Sequence, residues 1–197
     1  MQREVEVKFQ VDSVDTVMAK FHTEEVVWSD PVLQDDQAFA PSDWAYGMSK
    51  IGVPFARLRT EGARHLFTVK TPQSNEMDCL EYETAVSDRA AMHAAVIALG
   101  FTPTVRIVKK RRTATWDAGS WGEVTLCLDE VAQIGTFLEI EIVTEDNPAH
   151  VQEWLDRRVR DLGVEGMRVT DTYDTLVRNV LLVLGEWDPN ETSPAND

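Results

Sequence analysis

A strict alternation of polar and apolar residues is the dominant pattern along this chain. In the segment REVEVKF, residues 3–9, Val5, Val7 and Phe9 alternate with two glutamates and a lysine. Because successive side chains of a strand point to opposite faces of the sheet, such a strand has one apolar and one charged face. The same alternation predicts strands over residues 3–9, 55–60, 64–70, 79–85, 104–116, 122–129 and 137–143. Short turns containing Gly62 or Gly119 indicate a largely antiparallel set.

Four other segments repeat apolar residues every three or four positions, which is the period of an amphipathic helix. One clear example is Val14, Val17, Met18 and Phe21, preceded by the capping residue Ser13. The predicted helices cover residues 13–21, 87–100, 147–162 and 172–184. Together with the strands they predict one α+β domain over residues 1–184, followed by a polar, disordered tail over residues 185–197.

Composition and charge narrow the classes of protein to which the chain can belong. Its net charge of -15 and pI near 4.6 argue against a nucleic-acid binder, and an anionic substrate would need a local basic pocket. The chain has no apolar run of about 20 residues and no signal-peptide pattern, so we expect a soluble, cytoplasmic protein with no membrane partner. Cys79 and Cys127 lack metal-ligand spacing and are expected to be buried thiols. The sequence leaves open whether the chain forms a homodimer.

Pairs of like charges, spaced two residues apart, mark the polar face of several predicted strands. A single pair of this kind is more often a solvated face than a functional site. Here the acidic and basic pairs are segregated by strand, which would create like-charge clusters unless an opposite charge lies between them. If the helices cover the apolar outside of a closed sheet, the charged face lines the inside. The pairs are Glu4 and Glu6, Arg57 and Arg59, Glu81 and Glu83, Lys109 and Arg111, and Glu139 and Glu141.

An ordered series of motifs runs through almost the whole chain. The motifs are Glu4-x-Glu6-x-Lys8, Gln34-Asp35-Asp36 with Phe39, Arg57-Leu58-Arg59, Thr68-Val69-Lys70, Glu81-Tyr82-Glu83, Lys109-Lys110-Arg111, Leu128-Asp129-Glu130-Val131, Gly135, Phe137-Leu138-Glu139-Ile140-Glu141 and Tyr173-Asp174-Thr175-Leu176. In this order the chain resembles the CYTH proteins, also called triphosphate tunnel metalloenzymes, over about residues 2–183. That family includes class IV adenylate cyclases and thiamine or inorganic triphosphatases.

The resemblance implies an antiparallel, closed, eight-stranded β-barrel, with amphipathic helices packed outside and a triphosphate bound in the tunnel. It implies Mg²⁺ or Mn²⁺ held by carboxylates, which suits the oxygen ligands that these ions prefer. The implied metal ligands are Glu4, Glu6, Glu139 and Glu141, with Asp129 as a further ligand. The implied phosphate-binding residues are Lys8, Arg57, Arg59, Lys70, Lys109 and Arg111. The implied catalytic residues are Glu81, Glu83 and Lys70. Glu81 or Glu83 is also a candidate ligand of a metal ion or a water molecule.

Two questions remain open from the sequence. The run of basic residues 109–112 allows either Lys109 and Arg111 or Lys110 and Arg112 to face inward, and the alternation that continues into Thr113 favours the first pair. The reaction is also open. We predict a metal-dependent hydrolase of inorganic, thiamine or nucleoside triphosphate. The alternatives are a class IV adenylate cyclase that forms cyclic AMP and pyrophosphate, and a non-catalytic binder of polyphosphate or nucleotide. Many class IV cyclases carry a His-Phe pair before the first of these motifs, and this chain has none before Glu4, so the resemblance favours the hydrolase.

Overall fold

The computed structural model describes residues 2–24 and 26–187. Within these residues the strands are β1 (Gln2–Val11), β2 (Val32–Pro41), β3 (Phe55–Glu61), β4 (Arg64–Pro72), β5 (Asp78–Val86), β6 (Phe101–Asp117), β7 (Glu123–Val131), β8 (Gly135–Val143) and β9 (Gly166–Val169). The α-helices are α1 (Val14–Phe21), α2 (Arg89–Ala98), α3 (Pro148–Asp161) and α4 (Tyr173–Leu184). Residues 188–197, most of the predicted tail, lie outside the described residues.

The strands β1 to β8 form a closed antiparallel barrel. The order of neighbours is β5-β4-β3-β2-β6-β7-β8-β1, and the barrel closes because the first residues of β1 pair with β5, Glu4 opposite Cys79. The second half of β1 pairs instead with β9, Lys8 opposite Val169. The predicted eight-stranded barrel is confirmed, and β9 is an additional strand on the edge of β1 that β5 leaves uncovered.

Two strands were absent from the alternation-based prediction. β2 carries the sequence VLQDDQAFAP, in which two adjacent aspartates interrupt the period of two. The register of its pairing with β6 also shifts between Gln37 and Phe39, as it does at a β-bulge. β9 has only four residues, too few to show a period. β2 nevertheless joins β3 to β6, so the barrel depends on it.

The apolar outer face of the barrel is covered by helices. α1 and α3 lie over the cluster that contains Val5 and Val7 of β1, Leu126 of β7 and Ile140 of β8, all fully buried. α2 places Val96 against a second cluster on β2 and β3. Removing this apolar surface from water is the main favourable term in assembling the barrel. Most apolar strand positions are thereby used on the outside, and the alternate charged positions face inward. Ile107 and Phe137 are inner-face exceptions, and they pack against Tyr173 and Val177 of α4.

The N-terminal caps of α1 and α3 are the first residues of the corresponding predicted segments, Ser13 and Asn147. The Ser13 hydroxyl accepts a hydrogen bond from the amide of Thr16, and the Asn147 side chain accepts from the first turn of α3. α2 begins at Arg89, two residues after the predicted start at residue 87, and is capped by Asp88. α4 ends at Leu184, and the capping residue Gly185 has a φ of 71°, the left-handed conformation that glycine adopts without strain. Among the described helices, none is long and apolar enough to cross a membrane.

Candidate functional site

The charged positions singled out in the sequence converge on one cavity inside the barrel. The cavity has a volume of about 310 Å³, within the lower range of about 300–1,000 Å³ for ligand sites. Lys109 and Arg111 both line it, whereas Lys110 is exposed on the opposite face and Arg112 donates a hydrogen bond to the Ser29 carbonyl. The predicted site residues that line the cavity are Glu4, Glu6, Lys8, Arg57, Arg59, Lys70, Glu81, Glu83, Lys109, Arg111, Glu139 and Glu141.

Three glutamates form a compact group of carboxylates on β1 and β8. Glu6 lies directly opposite Glu141 in the pairing of the two strands, and Glu4 is two residues along the same face. One carboxylate oxygen from each of the three lies within 4.8 Å of the others. Burial raises the pKa of Glu141 to about 8, and the charge of Glu4 adds to the shift. Burial and the charge of Glu139 likewise raise the pKa of Glu6.

Glu4 differs electrostatically from the two other members of this group. Burial on its own would raise its pKa, but the ammonium of Lys70, 2.9 Å from its carboxylate, leaves the pKa below the ordinary value. Lys70 also approaches Glu81 at 2.6 Å. The three-glutamate group therefore combines one carboxylate that is paired with a cation and two for which the charged form is disfavoured.

Asp129 is fully buried and lies apart from the three-glutamate group, among cations. Its carboxylate accepts hydrogen bonds from Lys109 at 2.9 Å, from Arg111 at 2.7 Å and from the hydroxyl of Tyr173 at 3.0 Å. Burial alone would raise the pKa of Asp129, but Arg111 and then Lys109 hold it well below the ordinary range. The structure does not bring this carboxylate into the three-glutamate group, and its charge is already balanced.

Glu139 links the cations around Asp129 to β1. It lies opposite Lys8 in the pairing of β1 with β8, 3.2 Å from its ammonium, and it also accepts a hydrogen bond from Arg111. Burial disfavours its charge, yet Lys8 and Arg111 together lower its pKa to about 2. Glu139 thus lines the cavity as a charged carboxylate whose partners are cations of the protein.

A second acidic pair faces the basic strand β3. Arg57 lies 3.8 Å from Glu81 and 3.4 Å from Glu83, and it donates a hydrogen bond of 3.1 Å to Thr68. The Thr68 hydroxyl in turn donates to Glu83 at 2.9 Å. The Nε of Arg57 is buried and has no hydrogen-bond partner among the described residues. An unpartnered, buried guanidinium donor is costly unless a ligand accepts from it.

The amino-acid sequence matches the profile of a known protein family. The profile of the CYTH domain family matches residues 2–166. The chain belongs to the CYTH family. No curated protein matches this CYTH chain by sequence.

Solved structures share the fold of this CYTH protein at low sequence identity. A conserved hypothetical protein from Pyrococcus furiosus is 22% identical, with 88% of this chain and 99% of that chain covered and a TM-score of 0.71. A suggested adenylate cyclase from Vibrio parahaemolyticus is 18% identical, with 89% and 98% covered and a TM-score of 0.70. A suggested adenylyl cyclase from Hippeastrum with dominant triphosphatase activity is 16% identical, with 97% and 99% covered and a TM-score of 0.54.

The tunnel of this CYTH protein also contains residues to which sequence reasoning assigned no role. Asp36 forms a two-point ion pair with Arg59, both contacts at 2.7 Å. Burial alone would raise the pKa of Asp36, but the hydrogen bond from Arg59 lowers it to about 2. The adjacent Asp35 is bound outside the barrel by Arg106. A period of two through β2 would have placed Asp36 on the inner face, had that strand been recognised.

Tyr173 and Lys50 also line the cavity. The ring of Tyr173, the first residue of α4, lies under the ammonium groups of Lys8 at 4.3 Å and Lys109 at 4.8 Å. These are distances at which a cation is attracted to a ring face. Lys50 belongs to the loop between β2 and β3, where no periodic signal could indicate that its side chain is buried.

Proposed function

We propose that this CYTH protein is a divalent-metal-dependent phosphohydrolase that acts on a triphosphate held inside the barrel. The observation that carries the proposal is that a single cavity holds a group of carboxylates on one part of its wall and a group of cations on another. Carboxylates of Glu4, Glu6 and Glu141 gather on β1 and β8, and guanidinium groups of Arg57 and Arg59 project from β3. An anionic substrate needs cations around it, and this arrangement supplies them in two forms. One is the protein's own basic residues, and the other is a metal ion.

The three-glutamate group suits a divalent cation in its donor chemistry. All its donors are carboxylate oxygens, the ligands that Mg²⁺ and Mn²⁺ prefer. The raised pKa values of Glu6 and Glu141 indicate that negative charge is under-compensated there, which a cation would relieve. When bound, the ion would neutralise charge on the phosphates and polarise the phosphoryl group under attack.

The basic residues are proposed to bind phosphate oxygens. Arg57 has a free, buried Nε–H donor, and the planar fork of a guanidinium matches phosphate geometry. Arg59 is held in one orientation by Asp36, which reduces the entropy lost when it binds substrate. Lys8, Lys109 and Arg111 would bind through the sides of their head groups that Asp129 and Glu139 leave uncovered.

The proposed catalytic residues are Glu81, Glu83 and Lys70. A carboxylate only accepts hydrogen bonds, so Glu81 or Glu83 would hold a water molecule by its protons beside the phosphate that Arg57 binds. Lys70 lies between Glu4 and Glu81 and would donate to a phosphoryl oxygen, stabilising the charge that develops there. Asp129 and Glu139 would keep the remaining cations in place.

A product analysis tests this function against its alternatives. The protein is incubated with tripolyphosphate, thiamine triphosphate and ATP, each with Mg²⁺ or Mn²⁺, and the phosphate products are separated. Hydrolysis of the terminal phosphoryl group releases orthophosphate, whereas an adenylate cyclase releases pyrophosphate and cyclic AMP from ATP. Binding of tripolyphosphate without any product identifies a non-catalytic binder. Orthophosphate release that Glu141→Gln abolishes is the expected result, and cyclic AMP formation from ATP would contradict the proposal.

A further inference from the structure

Lys50 is a buried cation that lies outside every charged strand pair. Its side chain is only 7% exposed, although most of the loop formed by residues 42–54 is exposed or half-buried. Its ammonium donates to the hydroxyl of Thr172 at 2.5 Å and to that of Thr175 at 2.8 Å. It also forms ion pairs with Glu76 at 3.2 Å and with Asp174 at 3.3 Å. A lysine loses much of its rotamer freedom in such a geometry, so the contacts must offset that cost.

The partners of Lys50 come from two further segments of the chain. Glu76 belongs to the turn between β4 and β5, and Thr172, Asp174 and Thr175 form the N-terminus of α4. Like the loop of residues 42–54, each of these segments contributes to the lining of the same cavity. Lys50 is therefore the point at which three separate parts of the cavity wall meet.

Without its acidic partners, the ammonium of Lys50 would be repelled by the N-terminus of α4. The N-terminus of a helix carries partial positive charge, and a nearby cation is repelled unless acids compensate. Asp174 in the first turn and Glu76 opposite it supply that compensation. The Thr172 hydroxyl accepts no hydrogen bond from the amides of the first turn and instead accepts one from Lys50. The contacts of Lys50 therefore join the loop of residues 42–54 to α4, and capping of the helix does not explain them.

We infer that Lys50 is a positioning residue for the proposed triphosphate site. It fastens the loop of residues 42–54 to the first turn of α4, and so holds Trp44 on one side and Tyr173 on the other at the distances that shape the cavity. Tyr173 in turn contacts Lys8 and Lys109, two of the proposed phosphate-binding cations. Without Lys50 the loop and the helix would open independently, and substrate would be bound less tightly. The inference rests on the proposed function only for this last step.

Hydrogen–deuterium exchange tests the bridge without any reference to catalysis. Lys50→Met keeps the length of the side chain and removes its charge, and Lys110→Met, on the exposed outer face of β6, is the matched control. Arg178 also contacts this loop, 4.2 Å from the ring of Tyr46, so we expect partial release. Exchange of residues 44–53 and of residues 173–177 should both accelerate, by about threefold or more, in Lys50→Met only.

The bridge would be overturned if Lys50→Met accelerated exchange in only one of the two segments, or in neither. It would also be overturned if Lys110→Met accelerated exchange to the same extent. If Lys50→Met does not fold, Thr175→Ala replaces it, because it removes one of the two hydroxyl partners and no charge. It should accelerate exchange in both segments to a smaller extent, and unchanged exchange would overturn the inference equally.

Kinetics with tripolyphosphate and Mg²⁺ then test the consequence for substrate. In Lys50→Met we expect KM to rise about 3- to 10-fold, with kcat within about twofold of wild type. An unchanged KM together with faster exchange would reject the link to substrate. Absence of product from the wild-type protein would reject the proposed function, and the exchange experiment would still decide the role of Lys50.

Discussion

Replacing Glu141 by glutamine should stabilise the metal-free protein, although it removes a proposed metal ligand. Burial and the nearby Glu4 raise the pKa of Glu141 from its ordinary 4.5 to about 8. Linkage between protonation and folding converts that difference to about 3 kcal/mol of lost stability at pH 7. Because three carboxylates share the repulsion, we expect about 1–3 kcal/mol to be recovered in Glu141→Gln. For a chain of this size this corresponds to an increase in Tm of about 2–12 °C.

The raised pKa of Glu141 also predicts how the stability difference between Glu141→Gln and wild type changes with pH. A carboxyl with a raised folded-state pKa is protonated in the folded protein while its unfolded form has already ionised. Its contribution to stability is therefore complete below pH 4.5, is lost as pH rises towards 8, and changes no further above that. The difference in Tm between Glu141→Gln and wild type should be small at pH 5 and largest at pH 8.

Thermal unfolding with a chelator, at pH 5 and pH 8, measures both quantities. Glu145→Gln is the matched control, since Glu145 is exposed just after the same strand and should change Tm little. Saturating Mg²⁺ or Mn²⁺ should stabilise wild type more than Glu141→Gln, because an ion that binds only the folded state adds to its stability. A chelated Glu141→Gln less stable than wild type at pH 8, or a difference independent of pH, would refute the argument.

Three further predictions concern other parts of the tunnel. Asp36→Asn leaves the buried guanidinium of Arg59 without its counter-charge and should lower the free energy of unfolding by about 3–5 kcal/mol in urea titration; a loss below about 1 kcal/mol would contradict the importance of this pair. Arg57→Ala should weaken tripolyphosphate binding by about 10- to 150-fold in calorimetry, and added metal should not restore it. The activity of Glu6→Gln should instead partly return as the concentration of Mg²⁺ or Mn²⁺ is raised. Rescue of Arg57→Ala by metal, without rescue of Glu6→Gln, would reverse the phosphate-binding and metal-binding roles of these residues. Tyr173→Phe removes one hydroxyl donor from a buried carboxylate that keeps its two cations, so unfolding should become easier by about 1–2 kcal/mol in the same titration, and an unchanged stability would show that the hydroxyl contributes nothing.

The sequence by itself determined which side chains share a face. Residues 3–9 alternate because the period of a strand is set by local backbone geometry, so Glu4, Glu6 and Lys8 had to lie together whatever the rest of the chain did. The helical stripes and the caps Ser13 and Asn147 were predictable for the same reason. The resemblance to CYTH proteins then supplied the closed barrel, which alternation could not distinguish from an open sheet.

Only the tertiary structure decided which charges meet. The pairing of Glu4 with Cys79, 75 residues away in the chain, closes the barrel and turns the charged face inward. The register of β8 against β1, also a contact between distant parts of the chain, places Glu141 opposite Glu6, and Asp129 lies among cations. Lys50 in its loop had no pattern to reveal it. Strand period and helix caps are local properties, whereas register, closure and ion-pair choice depend on contacts between distant residues, whose energies are settled only when the whole barrel is assembled.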